Sequence, residues 1–139
     1  MSVTHFDTST TQGRRLYANW IAANLAGHTA EIYDLSAYFD KDPFWKNIKI
    51  KRPDGIYETF DIFRPTVRGT SRLQWTLIAL SCKCGVNIMF WMKARKWCYC
   101  ALNQDRIYKA ETADNYTEAV CRGLIYAYEN VVSQRVPPA

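Results

Sequence analysis

Histidine is nearly missing from this sequence: His5 and His28 are the only two in 139 residues. Neither has a cysteine or carboxylate patterned beside it, so a histidine-based catalytic relay has no foothold. Glycine is sparse as well, at 6 residues. None of these glycines builds a G-x-G-x-x-G turn, a Walker-type loop or a nucleophile elbow around Ser71 or Ser81. Asp40, Asp42 and Asp54 fall at turn and loop spacings rather than as a paired acid and base. No catalytic constellation is left, and the expectation is a protein that is not an enzyme.

Long hydrophobic runs are also missing. Charge interrupts every apolar stretch well before the roughly 20 residues that cross a bilayer, and MSVTHFDTST has neither the basic nor the apolar part of a signal peptide. A cytoplasmic protein in a host cell, with no membrane partner, is expected. Five cysteines in that compartment stay reduced, and an odd number argues against a pure disulfide framework.

What the sequence has is grease and polarised charge. Apolar residues make up 48% and aromatics 14%, which is enough to build a core for one domain over residues 1–139. Net charge is +5, yet Pro43 to Lys109 holds 13 Lys and Arg against 4 Asp and Glu, while the flanks are mildly acidic. That asymmetry suits an acidic partner, although lysines at hairpin tips also serve to block edge aggregation.

Periodicity places the elements. A first helix is expected over residues 13–26, with Leu16, Tyr17, Trp20, Ile21 and Leu25 on one stripe, Thr10 or Thr11 as cap and Gly27 as stop. Residues 28–47 give no firm element; DKDPFW reads as a turn. Strands are expected within 46–63, where KNIKIKR and IYETFDIF flank the turn tripeptide PDG. A well-buried second helix is expected over 72–84, capped by Ser71, with Leu73, Leu77, Leu80 and Cys84 on a stripe that Trp75 and Ile78 broaden. A hairpin and a further strand are expected over 87–111. The Ala94-Arg95 link lacks the Gly or Asn of the tightest turns, which points to a longer turn. A last helix is expected over 116–132, opened by an Asn115 and Glu118 capping box, and residues 134–139 are expected to fray.

Strands with apolar residues on both faces need a layer over each. The fold class that follows is α+β: a single-domain α/β/α-type sandwich with a mainly antiparallel sheet of about four to five strands and three main helices, a two-layer α+β arrangement remaining open. Gly123 in the last helix lowers helix propensity by about 1 kcal/mol relative to Ala, so close approach to the sheet is expected there.

SCKCGVNIMFWMKARKWCYCAL, residues 81–102, carries two C-x-C pairs. Structural zinc sites use knuckles of wider spacing in turns. Here Cys98 and Cys100 share one face of a strand, whereas Cys82 and Cys84 lie about 200° apart around a helix end. The four converge only with distortion, and small buried hydrophobes are the favoured reading over a metal or redox site. Neither a metal nor another cofactor is expected.

RRLYANWIAANLAG at 14–27, PDGIYETFDIFRPT at 53–66, SRLQWTLIALSCKCG at 71–85 and KWCYCAL resemble, in order and spacing, the phage ABA-sandwich domain family. The most specific piece is ETADNYTEAVCRGLIYAYE, similar to the family's closing helix with its E-A-x-C-R-A core, here Glu118, Ala119, Cys121 and Arg122. Gly123 stands where alanine is usual, and an Asn-Tyr step occupies 115 and 116. The resemblance implies a phage or prophage accessory protein and carries no catalytic residues with it.

The candidate partner-binding residues are Arg64, Arg68 and Arg72, ahead of and within the second helix, and Lys93, Arg95 and Lys96 beside Trp91 and Trp97. Arginine next to exposed aromatics serves protein hot spots and nucleic-acid stacking alike. The leading expectation is a non-enzymatic phage or prophage protein, monomer or homodimer, that inhibits a host antiviral defence complex by contact, as anti-CRISPR proteins do. The partner would present an acidic or nucleic-acid-binding surface. The alternative is a protein that binds or sequesters nucleic acid or a signalling nucleotide through the same patch.

Overall fold

The computed structural model describes residues 6–34, 46–103 and 106–132. The DKDPFW turn and the tail at 134–139 lie outside the described residues. Helix α1 (Thr11–Leu25) is followed by β1 (Ala30–Asp34), β2 (Lys46–Lys51), β3 (Tyr57–Thr59), α2 (Val67–Ala79), a π-helical turn (Leu80–Cys84), β4 (Asn87–Lys93), β5 (Lys96–Asn103), β6 (Arg106–Ala113), α3 (Tyr116–Ala127) and a second π-helical turn (Tyr128–Val132).

Among the described residues the class is α+β, with three α-helices, but the strands do not form one sheet of four to five. They form two antiparallel three-stranded sheets, β1-β2-β3 and β4-β5-β6. Helix α1 packs on β1 and β2 and also against α3, which in turn packs on β4, β5 and β6. The α1–α3 pair therefore lies between the sheets, the reverse of helices flanking a central sheet. Small residues make this possible. Ala18, Ala22 and Ala23 of α1 meet Val120, Cys121 and Leu124 of α3 and Ile48, Ile50, Phe60 and Ile62 in one buried core. Burying each of the larger aliphatic side chains contributes about 2 kcal/mol.

Among the described residues a helix covers one face of β5, yet residues on both faces are buried. Tyr99 and Ala101 are buried on the α3 side, where Gly123 brings the helix backbone close: a Cβ there would stand 3.0 Å from Ile88 Cγ2. On the other side Cys98 and Cys100 are small and buried, paired in register with Trp91 and Met89 of β4, which stay partly exposed. Cys121 is buried in α3, Cys84 half-buried and Cys82 exposed, so Cys82 departs from the expected set of buried thiols.

Local chemistry explains the boundaries. Thr10 caps α1 by accepting from Gly13 N at 3.0 Å, and Asn115 caps α3 by accepting from Glu118 N at 2.9 Å. Helix α2 starts well before Ser71: Thr66 is the cap, accepting from Gly69 N at 3.1 Å. Its end is as expected, with Gly85 at φ 70° after the π-helical turn. Trp75 and Ile78 lie outside its buried stripe, exposed at 55% and 58%, rather than broadening it. Strand β1, pairing Ile32 with Ile48, arises within the stretch 28–47, where periodicity places no firm element.

Strand β3 stops early because side chains take over its backbone. Asn19 Oδ1 accepts from Ile62 N at 2.8 Å and Asp61 Oδ1 from Phe63 N at 2.9 Å. The β4–β5 turn is two residues after all, with Ala94 at φ 52° and Arg95 at φ 64°. Both occupy the left-handed region that a type I′ turn demands and that Asn-Gly fills best.

Candidate basic and aromatic binding surfaces

The six basic residues singled out in the sequence fall on two separate places in the fold. Arg68 and Arg72, four apart on α2, reach the same carboxylate: Arg68 Nη1 donates to Glu58 Oε2 at 3.0 Å and Arg72 Nη2 to Glu58 Oε1 at 3.2 Å. Arg72 Nη1 also donates to the Thr59 carbonyl at 3.1 Å, and its guanidinium lies 4.4 Å from the centre of the Phe60 ring. Burial pulls the Arg72 pKa down; Glu58 opposes that, while the positive charges of Arg68 and Arg64 add to it. Arg64 is held close by Gly69, where any Cβ would collide with the Arg64 carbonyl.

This arrangement runs against the helix dipole. The positive end of α2 has no acidic residue in its first turn and gathers arginines instead. Among the described residues, Arg68 and Arg72 share the carboxylate of Glu58, and the positive charges of Arg68 and Arg64 both act on Arg72. Beside them is a pocket of about 350 Å³ lined by His28, Phe60, Arg68, Ser71, Arg72 and Trp75. Lys83 Nζ sits 5.6 Å from the Trp75 ring centre and is fixed by donating to the Leu25 carbonyl at 3.0 Å. A second pocket, of about 540 Å³, takes in Arg15, Asn19, Asp61 and Arg64. There Asp61 already answers the positive charge, accepting from Arg15 Nη2 at 3.0 Å.

Lys93, Arg95 and Lys96 form the other place, the tip of the β4–β5 hairpin. Lys93 and Lys96 stand directly opposite each other in register, and all three are exposed. Like charges across an antiparallel pair repel. Met89, Trp91 and Met92 are exposed next to them. Trp97 is not a partner in this patch: it is half-buried against Tyr116, with ring centres 4.9 Å apart.

Sequence reasoning missed His28, Glu58, Phe60, Trp75 and Lys83. The usable signal was the spacing of Arg68, Arg72 and Trp75, which puts two cations and an indole on one helical face. Starting the helix at 72 hid it, because Arg68 then belonged to a loop.

Among the described residues no group of three or more His, Cys, Asp or Glu could hold a metal ion. No helix among them is long and apolar enough to cross a membrane. Fold and surfaces together define a small α+β protein with two basic and aromatic surfaces. Comparison with family models, with curated proteins and with solved structures returns no match.

Proposed function

We propose that the chain is a non-enzymatic binding protein that acts by contact with an acidic protein surface through the β4–β5 hairpin tip. The observation that carries this reading is the tip itself. Lys93 faces Lys96 across a turn whose two residues, Ala94 and Arg95, both hold positive φ without glycine or asparagine. Strain and like-charge repulsion at one exposed point are disfavoured in the free molecule, and an acidic partner relieves the repulsion. Exposed Trp91, Met89 and Met92 add the aromatic and adaptable apolar contacts typical of interface hot spots.

The resemblance in sequence motifs to the phage ABA-sandwich domain family supplies the context for a partner, although the layer order here is not the α/β/α order that the family's name describes. In that context the chain is a phage or prophage accessory protein, and its partner is a component of host antiviral defence, inhibited by occlusion.

The test is an affinity pull-down from bacterial lysate, with and without nuclease, comparing the wild-type chain with a Lys93→Glu, Arg95→Glu, Lys96→Glu variant. A nuclease-resistant defence protein retained by the wild type and lost by the variant supports the reading. Equal retention by both, recovery of nucleic acid alone, or recovery of the bait alone overturns it.

A further inference from the structure

A different surface carries a second, independent conclusion. We infer that the pocket between α1, α2 and the end of β3 is a binding site for a mononucleotide-class ligand, a planar base bearing a phosphate. Its volume of about 350 Å³ lies in the lower range of small-molecule sites and matches one nucleotide rather than an extended strand.

The two halves of such a ligand each find their chemistry. Trp75 offers an exposed indole whose neighbourhood also carries the Lys83 ammonium. Base stacking on an exposed tryptophan is favourable whatever the base, because every base has a π-face. Phe60 and His28, with ring centres 5.9 Å apart, extend the apolar wall. Arg68 and Arg72 project from successive turns of α2, and the Ser71 hydroxyl lies between them in sequence on the same rim. A phosphate there meets planar donors suited to bidentate contact.

Electrostatics explains why the site asks for an anion. Among the described residues, Glu58 spends one oxygen on Arg68 and the other on Arg72, so the field of two guanidinium groups lining the pocket is met by one carboxylate. The positive end of the helix macrodipole adds to that field, and no acidic residue in the first turn offsets it. Arg72 is already positioned, by Thr59, Glu58 and Phe60, so binding need not order it. Arg68, 72% exposed, reaches a phosphate from the open rim of the pocket.

The experiment is isothermal titration calorimetry of the full chain with AMP, GMP, CMP and UMP, and separately with adenosine, inorganic phosphate and a single-stranded oligonucleotide. At least one monophosphate is expected to bind with one-to-one stoichiometry and to weaken as salt rises. Adenosine and inorganic phosphate are each expected to bind at least about tenfold more weakly. Trp75→Ala and Arg68→Gln alter exposed side chains, so both should keep the wild-type melting temperature while each weakens binding by about tenfold. The hairpin-tip variant Lys93→Glu, Arg95→Glu, Lys96→Glu should bind the monophosphate as the wild type does, so this conclusion and the hairpin reading fail separately. Failure of all four monophosphates, phosphate binding as tightly as they do, binding of the oligonucleotide alone, or indifference to both pocket variants overturns the assignment.

Discussion

Arg14 of α1 and Glu118 of α3, 104 residues apart in sequence, meet with Nε donating to Oε2 at 2.8 Å in a largely buried ion pair. Arg122 adds a second bond to the same oxygen at 3.4 Å. Burial alone would raise the Glu118 pKa, but the Arg14 bond and charge, with Arg122, outweigh it and hold the carboxyl below its ordinary value of 4.5. The unfolded chain therefore binds more protons near that value than the folded one, and the pair's contribution is present above it and lost as pH falls through the lowered folded value. Glu118→Gln, which strands Arg14, is expected to cost about 3 kcal/mol at neutral pH. Urea unfolding across the acid range checks this: the wild type should lose stability on acidification more steeply than the variant.

Asn19 ties α1 to the chain that leaves β3. Its amide donates to Asp61 Oδ1 at 3.2 Å while its carbonyl oxygen accepts from Ile62 N at 2.8 Å. Asn19→Ala leaves that buried N–H without its partner and is expected to cost about 2 kcal/mol. The midpoint of urea denaturation should fall with the slope unchanged.

Gly123 sets the spacing of α3 on the second sheet. Alanine gains about 1 kcal/mol of helix propensity but must push Ile88, so Gly123→Ala should be close to neutral. Gly123→Leu forces a larger group between Ile88 and Tyr99 and is expected to cost about 3 kcal/mol. Thermal melting of the two variants separates close approach from simple propensity.

The hairpin turn predicts a gain. Replacing Ala94 and Arg95 by Asn and Gly puts the residues that tolerate positive φ where the backbone already has it. Stability should rise by about 1 kcal/mol. A chemical-denaturation curve measures it, and the same variant, having lost one cation, should bind an acidic partner more weakly.

Thiol labelling should resolve the cysteines. Cys82 is exposed and should react first with an aromatic disulfide reagent. Cys98, Cys100 and Cys121 are buried and should react only on unfolding, and while the chain is folded burial, reinforced by Glu118, also keeps the Cys121 thiol protonated by pushing it up to about 12. Early labelling of Cys98 or Cys100 would show that the outer face of β5 opens.

Helix α3 is legible in the sequence because its cap, its period and its stripe all agree. The two-residue hairpin register follows from alternation, even though the turn residues argue for a longer link. The layer order is not legible, since alanines that mark a helix–helix contact carry no more hydropathy signal than alanines on a surface. Helix α1 shows this: its large residues predict one stripe, while Ala18, Ala22 and Ala23 make a further buried contact. The pocket is half legible. Arg68 and Arg72 stand out by charge, whereas Phe60 and His28 reach it through tertiary folding alone.

A molecule with its first and last described helices paired in the middle has a particular history on the ribosome. Strands β1 and β2 emerge early and rest against α1 alone, with Ile48 and Ile50 waiting for the side chains of Val120 and Leu124. Strands β4 to β6 emerge next as a meander whose α3 side has no cover until the last helix is made. Nascent chains at that stage display both apolar faces at once, a state in which chaperones or a neighbouring copy compete with α3. Any change that slows docking of α3 would therefore lower the yield of soluble protein more than it lowers the stability of the finished molecule.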